Sequence, residues 1–285
     1  MQHYAALEHT QPATMPVLSE IEHRFLRLDQ VTLHVALAGP HDGPLLMLLH
    51  GFPDAWFGWH PQVDALVEAG FRVALLDQRG YDLSEKPARI RDYRTSLLAA
   101  DVSQAARALG AERFGVAGHD WGGAVTWTLA YDPPPQLAAV AMLNLPDLRV
   151  MQRFLKTSRQ LFRSWYMAAF QVPVLPEAML TRRGGWGLAE QVRSTARPGT
   201  FSDEDLARYA AAWTRPGAMT GMVNWYRAGA RYPTPLPPRD RQVTVPARII
   251  WGERDTFLIA DMVDPSAAKL ACGDVVRLPE ATHWV

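Results

Sequence analysis

The sequence predicts an α/β protein built on a mostly parallel, doubly wound sheet that is interrupted once by helices. Three observations carry this expectation. Six short apolar runs recur along the chain, LLMLLH (45–50), FRVALLD (71–77), RFGVAG (113–118), LAAVAMLNL (137–145), ARIIWG (247–252) and DVVRLP (274–279), each suited to a strand buried on both faces. Helical patterns lie between several of them. One interval, from about 146 to 238, holds helical material and no convincing strand. At 285 residues the chain fits one large domain, or a domain with an insertion.

Taken in order, residues 1–20 read as a lead-in, with neither the apolar core nor the basic flank of a signal peptide. HRFLRL (23–28), a turn at Asp29-Gln30 and VTLHVALAG (31–39) then predict an antiparallel hairpin at a sheet edge, since Val31, Leu33, Val35 and Leu37 alternate with Thr32, His34 and Ala36. TSLLAADVSQAARALG (95–110) has Leu97, Leu98, Val102, Ala105, Ala106 and Leu109 at helical spacing, with Gly110 as a stop. Within the insertion, 149–170 reads as one long helical stretch. FSDEDLARYAAAW (201–213) opens with Ser202 and Asp205 at capping-box spacing, and AMTGMVNWYRAG (218–229) is a third helix, before the proline-rich YPTPLPPRD (232–240). The organisation is thus a lead-in (1–20), a first core part (21–146), a helical cap (147–238) and a second core part (239–285).

Composition narrows the function. Hydrophobic residues make up 48% and charged residues 20%, as in a globular protein with a sizeable core. Basic and acidic residues balance at 29 each, without a like-charged run, so a nucleic-acid partner is not expected. No stretch approaches the roughly 18 apolar residues of a membrane span, and the cytoplasm is the expected location. The single cysteine, Cys272, allows no internal disulfide and reads as a buried or partly buried bystander. With no His-x-x-x-His and no cysteine cluster, neither a metal nor a cofactor is expected.

In an open α/β sheet, ligands gather at the carboxyl ends of the strands. The segments there are His50-Gly51-Phe52-Pro53, Asp77-Gln78-Arg79-Gly80-Tyr81, His119-Asp120-Trp121-Gly122-Gly123, Glu253-Arg254-Asp255 and His283-Trp284. GHDWGG (118–123), between a strand and a helix, resembles the nucleophile elbow of the α/β-hydrolases, with Asp120 where a serine is usual. In that family's order of nucleophile, acid, base, the base must be a histidine beyond Asp120. His283 is the only one, because the other eight histidines lie at or before position 119. Asp255 fits the orienting acid best, with Glu253 as fallback. His50 and His119 read as structural side chains holding their loops, and Arg79 as a loop anchor.

The motifs HGFP (50–53), DQRGY (77–81), GHDWGG, NWYRA (224–228), WGERD (251–255) and THW (282–284) occur in the order of the epoxide hydrolase branch of the α/β-hydrolases, which the chain resembles from about residue 22 onward. The resemblance implies an eight-stranded sheet with the cap inserted after the sixth strand. It also implies two cap tyrosines that hold the epoxide oxygen. SWYMAAFQVP (164–173) supplies Tyr166 and NWYRA supplies Tyr226. It further implies an oxyanion hole from the backbone N–H groups of Phe52 and Trp121 and a cis peptide before Pro53. The pocket would be walled by the side chains of Phe52, Trp121, Trp56 and Trp284, with Trp59 and Trp225 as further walls. Two departures stand out: Asp82 occupies a position where relatives often carry glycine, and relatives continue past the equivalent of Val285 into a final helix.

The implied reaction opens an epoxide to a vicinal diol through an ester on Asp120, which water activated by His283 then hydrolyses. The expected partners are an apolar or aromatic epoxide and water, with a homodimer as the oligomer to test. The rival readings are a haloalkane dehalogenase with the same aspartate nucleophile, in which Trp121 would bind halide, and a ligand-binding relative without turnover.

Overall fold

The computed structural model describes residues 21–285. The lead-in expected over 1–20 lies outside the described residues. Eight strands form one sheet: β1 (Glu22–Arg27), β2 (Thr32–Ala38), β3 (Leu45–Leu49), β4 (Arg72–Leu76), β5 (Phe114–His119), β6 (Leu137–Leu143), β7 (Ala247–Gly252) and β8 (Gly273–Leu278). Their spatial order is β1-β2-β4-β3-β5-β6-β7-β8. The β1–β2 and β2–β4 pairs are antiparallel, and every other pair is parallel. Each apolar run in the sequence becomes a strand because both of its faces find cover. Met47 and Leu49 face the core that holds α2 (Thr95–Ala108) and α3 (Trp121–Tyr131), while Leu48 faces a second core with Val63 of α1 (His60–Glu68).

The predicted edge hairpin is present, but only β1 is an edge. β2 is buried along nearly its whole length, despite its alternating polar residues, because it pairs on both sides. Its His34 is fully buried and meets the Asp77 carboxylate at 2.8 Å. The hidden polar face is thereby satisfied. Cys272 is exposed rather than buried, since it precedes β8, an edge strand with a largely exposed pattern.

A helical insertion leaves the sheet after β6 and returns at β7. The helix expected across 149–170 is three short ones, α4 (Leu148–Phe154), α5 (Ser158–Arg163) and α6 (Trp165–Ala169). Thr157 and Ser164 stand at the breaks. The Thr157 hydroxyl donates to the Phe154 carbonyl, and the Ser164 hydroxyl accepts from Gln160, local bonds that compete with helix continuation. Next come α7 (Leu175–Leu180), α8 (Trp186–Thr195), α9 (Asp203–Trp213) and α10 (Ala218–Arg231), and α11 (Val263–Ala267) follows β7. The capping box of Ser202 and Asp205 forms at the start of α9 as its spacing predicts.

Polar ties fix the insertion over the sheet. Tyr209 of α9 donates to the Asp54 carboxylate at 2.6 Å, and Trp213 donates to the Pro53 carbonyl. Trp225 of α10 donates to the Arg79 carbonyl at 2.9 Å. Arg79 itself forks onto Asp101 and caps the Asp92 carbonyl, the anchoring role its position suggested. Asp82 has φ 28°, a conformation glycine adopts more easily, and its carboxylate is held by Arg215 just ahead of α10. Asp82 therefore ties this loop to the insertion. Among the described residues no helix is long and apolar enough to cross a membrane.

The strand ends converge because α3 starts hard against the end of β3. A Cβ on Gly122 would stand 2.2 Å from the Leu49 carbonyl oxygen. Gly122→Ala should therefore lower stability by about 1–3 kcal/mol, the usual cost of overpacking. Urea unfolding checks this, and a midpoint equal to wild type would show that the two elements can part freely.

Candidate active site

Parallel pairing brings Leu49, Leu76 and Gly118 level, so the loops after β3, β4 and β5 open on one edge of the sheet. Asp120 lies in the turn from β5 to α3 with φ 51° and ψ −120°. A non-glycine residue there is strained by roughly 1–3 kcal/mol and persists only where its surroundings hold it. They do so closely: a Cβ on Gly51 would stand 2.3 Å from the Asp120 Cβ. The Phe52 N–H donates to Asp120 Oδ1 at 2.9 Å. The peptide between Phe52 and Pro53 is cis.

His283 stands beyond β8, with Nε2 3.7 Å from Asp120 Oδ2 and Nδ1 2.7 Å from Asp255 Oδ2. Asp255 is 4% exposed, and its charge is met from several sides. The N–H groups of Phe257 and Leu258 donate to Oδ1 at 2.7 and 2.9 Å, and Asn144 donates to Oδ2 at 2.6 Å. Glu253, two residues earlier, instead pairs with Arg277 at the surface.

These contacts set the protonation states. Burial drives the Asp255 carboxyl upward, but the His283 charge and hydrogen bond, with Leu258 and Asn144, hold it below the ordinary range. Burial pushes the His283 imidazole down, yet Asp255 and Asp120 outweigh it and leave the imidazole above its usual value. For Asp120 burial wins, and the carboxyl is raised although His283 and the amides of Phe52 and Trp121 oppose it. Burial likewise raises the Tyr166 and Tyr226 phenols far above the usual range, so both stay protonated donors near neutrality.

The insertion supplies the facing wall. A cavity of about 300 Å³ is lined by Asp120, His283, Phe52 and Trp284 from the core and by Tyr166 and Tyr226 from α6 and α10. The two tyrosine rings meet edge to face with centroids 5.8 Å apart. Most of the remaining lining is aliphatic or aromatic. Among the described residues no group of three metal-binding side chains forms.

Several expected walls stand elsewhere. Trp56 packs in the core beside α1, edge-on to His23 and Phe57, because its turn leads into that helix and away from the cavity. Trp59 belongs to the same core. The Trp121 ring packs behind the wall against Tyr226 and Trp225, at 5.1 and 5.8 Å, instead of lining the cavity. Trp225 is buried beneath it. His50 accepts from the Gln78 N–H at 3.1 Å, and His119 meets the His283 carbonyl at 2.8 Å. Both therefore hold loops, as their positions suggested.

Three residues of this constellation escaped the sequence reading. Asn144, at the end of β6, has φ 42° and binds Asp255 while accepting the Gly252 N–H. A polar residue closing an apolar strand was its only signal. Gln160 of α5, fully buried, donates to the Phe257 carbonyl at 2.8 Å and accepts the Ile259 N–H at 3.2 Å, and Arg163 donates to the Asp255 carbonyl at 2.8 Å. The helix before Tyr166 therefore grips the loop that bears Asp255. Gln160→Met strands the part-buried Phe257 carbonyl and the buried Ile259 N–H, so stability should fall by about 2–4 kcal/mol. Amide exchange at 257–259 should accelerate. Unchanged exchange there would mean that the grip contributes nothing.

The alpha/beta hydrolase fold family matches residues 44–285. The chain is 41% identical over 263 residues to an AB hydrolase superfamily protein of Bacillus subtilis, covering 92% of this chain and 91% of that one. It is 32% identical to mouse epoxide hydrolase 4, covering 92% and 75%. Among solved structures, an epoxide hydrolase of Bacillus megaterium in complex with an inhibitor superposes with a TM-score of 0.81 at 28% identity, covering 92% and 93%. With the sheet order, the inserted helices and the aspartate elbow, these likenesses agree: the chain belongs to the α/β-hydrolase family and is closely related to its epoxide hydrolases.

Proposed function

We propose that the protein hydrolyses an apolar epoxide to a vicinal diol. One observation carries the reading: a carboxylate nucleophile and two protonated phenols face a single apolar cavity, Asp120 from the core and Tyr166 and Tyr226 from the cap, residues 147–238. A carboxylate suits an sp³ carbon. A serine would leave a stable ether, whereas a carboxylate leaves an ester that the same site can cleave.

An Asp120 oxygen attacks an epoxide carbon. The ring C–O bond breaks, and its electron pair moves to the oxygen, which takes a proton from Tyr166 or Tyr226. His283 Nε2 then removes a proton from water, and the hydroxide adds to the ester carbonyl. The N–H groups of Phe52 and Trp121 receive the oxyanion; the Phe52 N–H already donates to the Asp120 carboxylate at 2.9 Å, and the Trp121 N–H helps to lower its pKa. Collapse expels the diol oxygen and restores the carboxylate. The two protons of water end on that oxygen and on the phenol.

Alkylation also neutralises Asp120. The negative charge passes to the cap phenol, so the Asp120 carboxylate no longer raises the His283 pKa, and the imidazole becomes easier to deprotonate at the step that needs a base. The dehalogenase reading would require the Trp121 indole in the cavity, whereas its ring packs behind Tyr226. The single cysteine is compatible with a cytoplasmic enzyme.

His283→Gln, mixed with styrene oxide, should accumulate a species heavier by the mass of the epoxide, with the adduct on Asp120. A folded variant that binds the epoxide without an adduct would overturn the scheme. Tyr166→Phe and Tyr226→Phe should each slow adduct formation about 10²- to 10³-fold, read by single-turnover quench. Because a base is lost as pH falls, kcat should drop on the acid side. The midpoint of that limb should lie below the His283 titration of the free enzyme followed by NMR. The reverse order would exclude the charge argument.

A further inference from the structure

The cavity does not end at an enclosed wall. Trp165, Val172, Leu175 and Met179 line it, yet they are 68, 45, 55 and 66% exposed. Val174, between Val172 and Leu175 in the chain, is exposed as well. A cluster of this size is unusual on a protein surface unless it binds something.

The rim is also held outward. Arg227 of α10, 5% exposed, donates through Nε to the Phe170 carbonyl and through Nη2 to the Val172 carbonyl, and it forks onto the Glu177 carboxylate at 2.6 and 3.0 Å. The segment 170–177 is thus pinned from beneath by a nearly buried ion pair and by buried Phe170 and Pro176, while Val172, Val174 and Leu175 stay exposed. Val174, β-branched, is kept at φ 67°, a conformation such residues rarely adopt. Strain that keeps apolar groups in water suggests a ligand that covers them. Among the described residues lining the cavity none is a lysine or an arginine, and the one group there that can carry positive charge, His283, already faces Asp255 and Asp120, so an anionic group near the epoxide would find no free counter-charge.

We infer that the site takes epoxides borne on a long, uncharged hydrocarbon chain, with the oxirane at Asp120 and the chain leaving between Val172, Leu175, Met179 and Trp165 to lie along the cap rim. This rests on the epoxide hydrolase reading. The rim contributes binding to carbons that the cavity itself does not enclose.

The experiment is a kcat/KM series on 1,2-epoxyalkanes from four to twelve carbons, each below its solubility limit, with glycidate as the short anionic member. The ratio should rise about two- to four-fold for each added methylene beyond 1,2-epoxyhexane, and glycidate should be a poor substrate. In the double variant Leu175→Gln, Met179→Gln, with both positions exposed and folding checked by circular dichroism, the dodecane-to-butane ratio should fall at least five-fold. A flat series beyond six carbons, or an unchanged ratio in the variant, overturns the long-chain inference while diol still forms. Turnover of glycidate as good as that of 1,2-epoxybutane overturns the requirement for an uncharged chain. No diol from any member overturns the parent reading instead.

Discussion

At the end of the fifth strand a carboxylate is held in a backbone conformation that residues other than glycine seldom adopt, and much of the molecule serves to keep it there. Asp120 has φ 51° because helix α3 must start against the end of β3, with only Gly51 and Gly122 small enough for the contact. The turn costs roughly 1–3 kcal/mol. What it gains is a side chain lifted off the sheet, where the Phe52 amide, the His283 ring and the cavity all reach it. The strain is local, and the flanking parallel strands oppose it by fixing both ends of the turn.

The charges around that turn are graded by their partners. Asp255 and Asp120 are both carboxylates in poorly solvated surroundings, but Asp255 is met by two N–H groups, an amide and an imidazole. It stays ionised easily, while Asp120 is raised by burial. His283 sits between them and draws on both. A change of charge at one carboxylate is therefore felt at the imidazole, which lets a single histidine serve a site whose charge alters during turnover.

The inserted helices belong to the same constraint. Tyr209, Trp213 and Trp225 bond to loops that follow β3 and β4, and Gln160 and Arg163 bond to the loop that follows β7. These ties set where Tyr166 and Tyr226 stand relative to Asp120. Arg227 performs the corresponding task at the rim, fixing 170–177 so that its apolar side chains edge the cavity mouth. Each tie ends on a backbone carbonyl or a carboxylate of another element, which makes the insertion and the sheet a single positioned unit.

The amino-acid sequence by itself determined the eight strands, because runs such as LLMLLH and ARIIWG are apolar on both faces and suit no other place. It also determined the elbow, where glycines flank a lone aspartate, and it singled out His283 by leaving no other histidine after Asp120. Tertiary structure alone decided what depends on distance between remote segments. VTLHVALAG alternates like an exposed edge, yet β2 is buried because a third strand pairs with it and Asp77 satisfies His34. The stretch 149–170 carries helical periodicity throughout, yet it breaks at Thr157 and Ser164, on either side of the short helix whose Gln160 and Arg163 reach the acid loop. The family resemblance implied Trp56 and Trp121 as pocket walls, and both rings pack elsewhere. Asn144 and Gln160 were invisible because an amide has no characteristic spacing. Its meaning comes from the groups 97 to 111 positions away that it hydrogen-bonds.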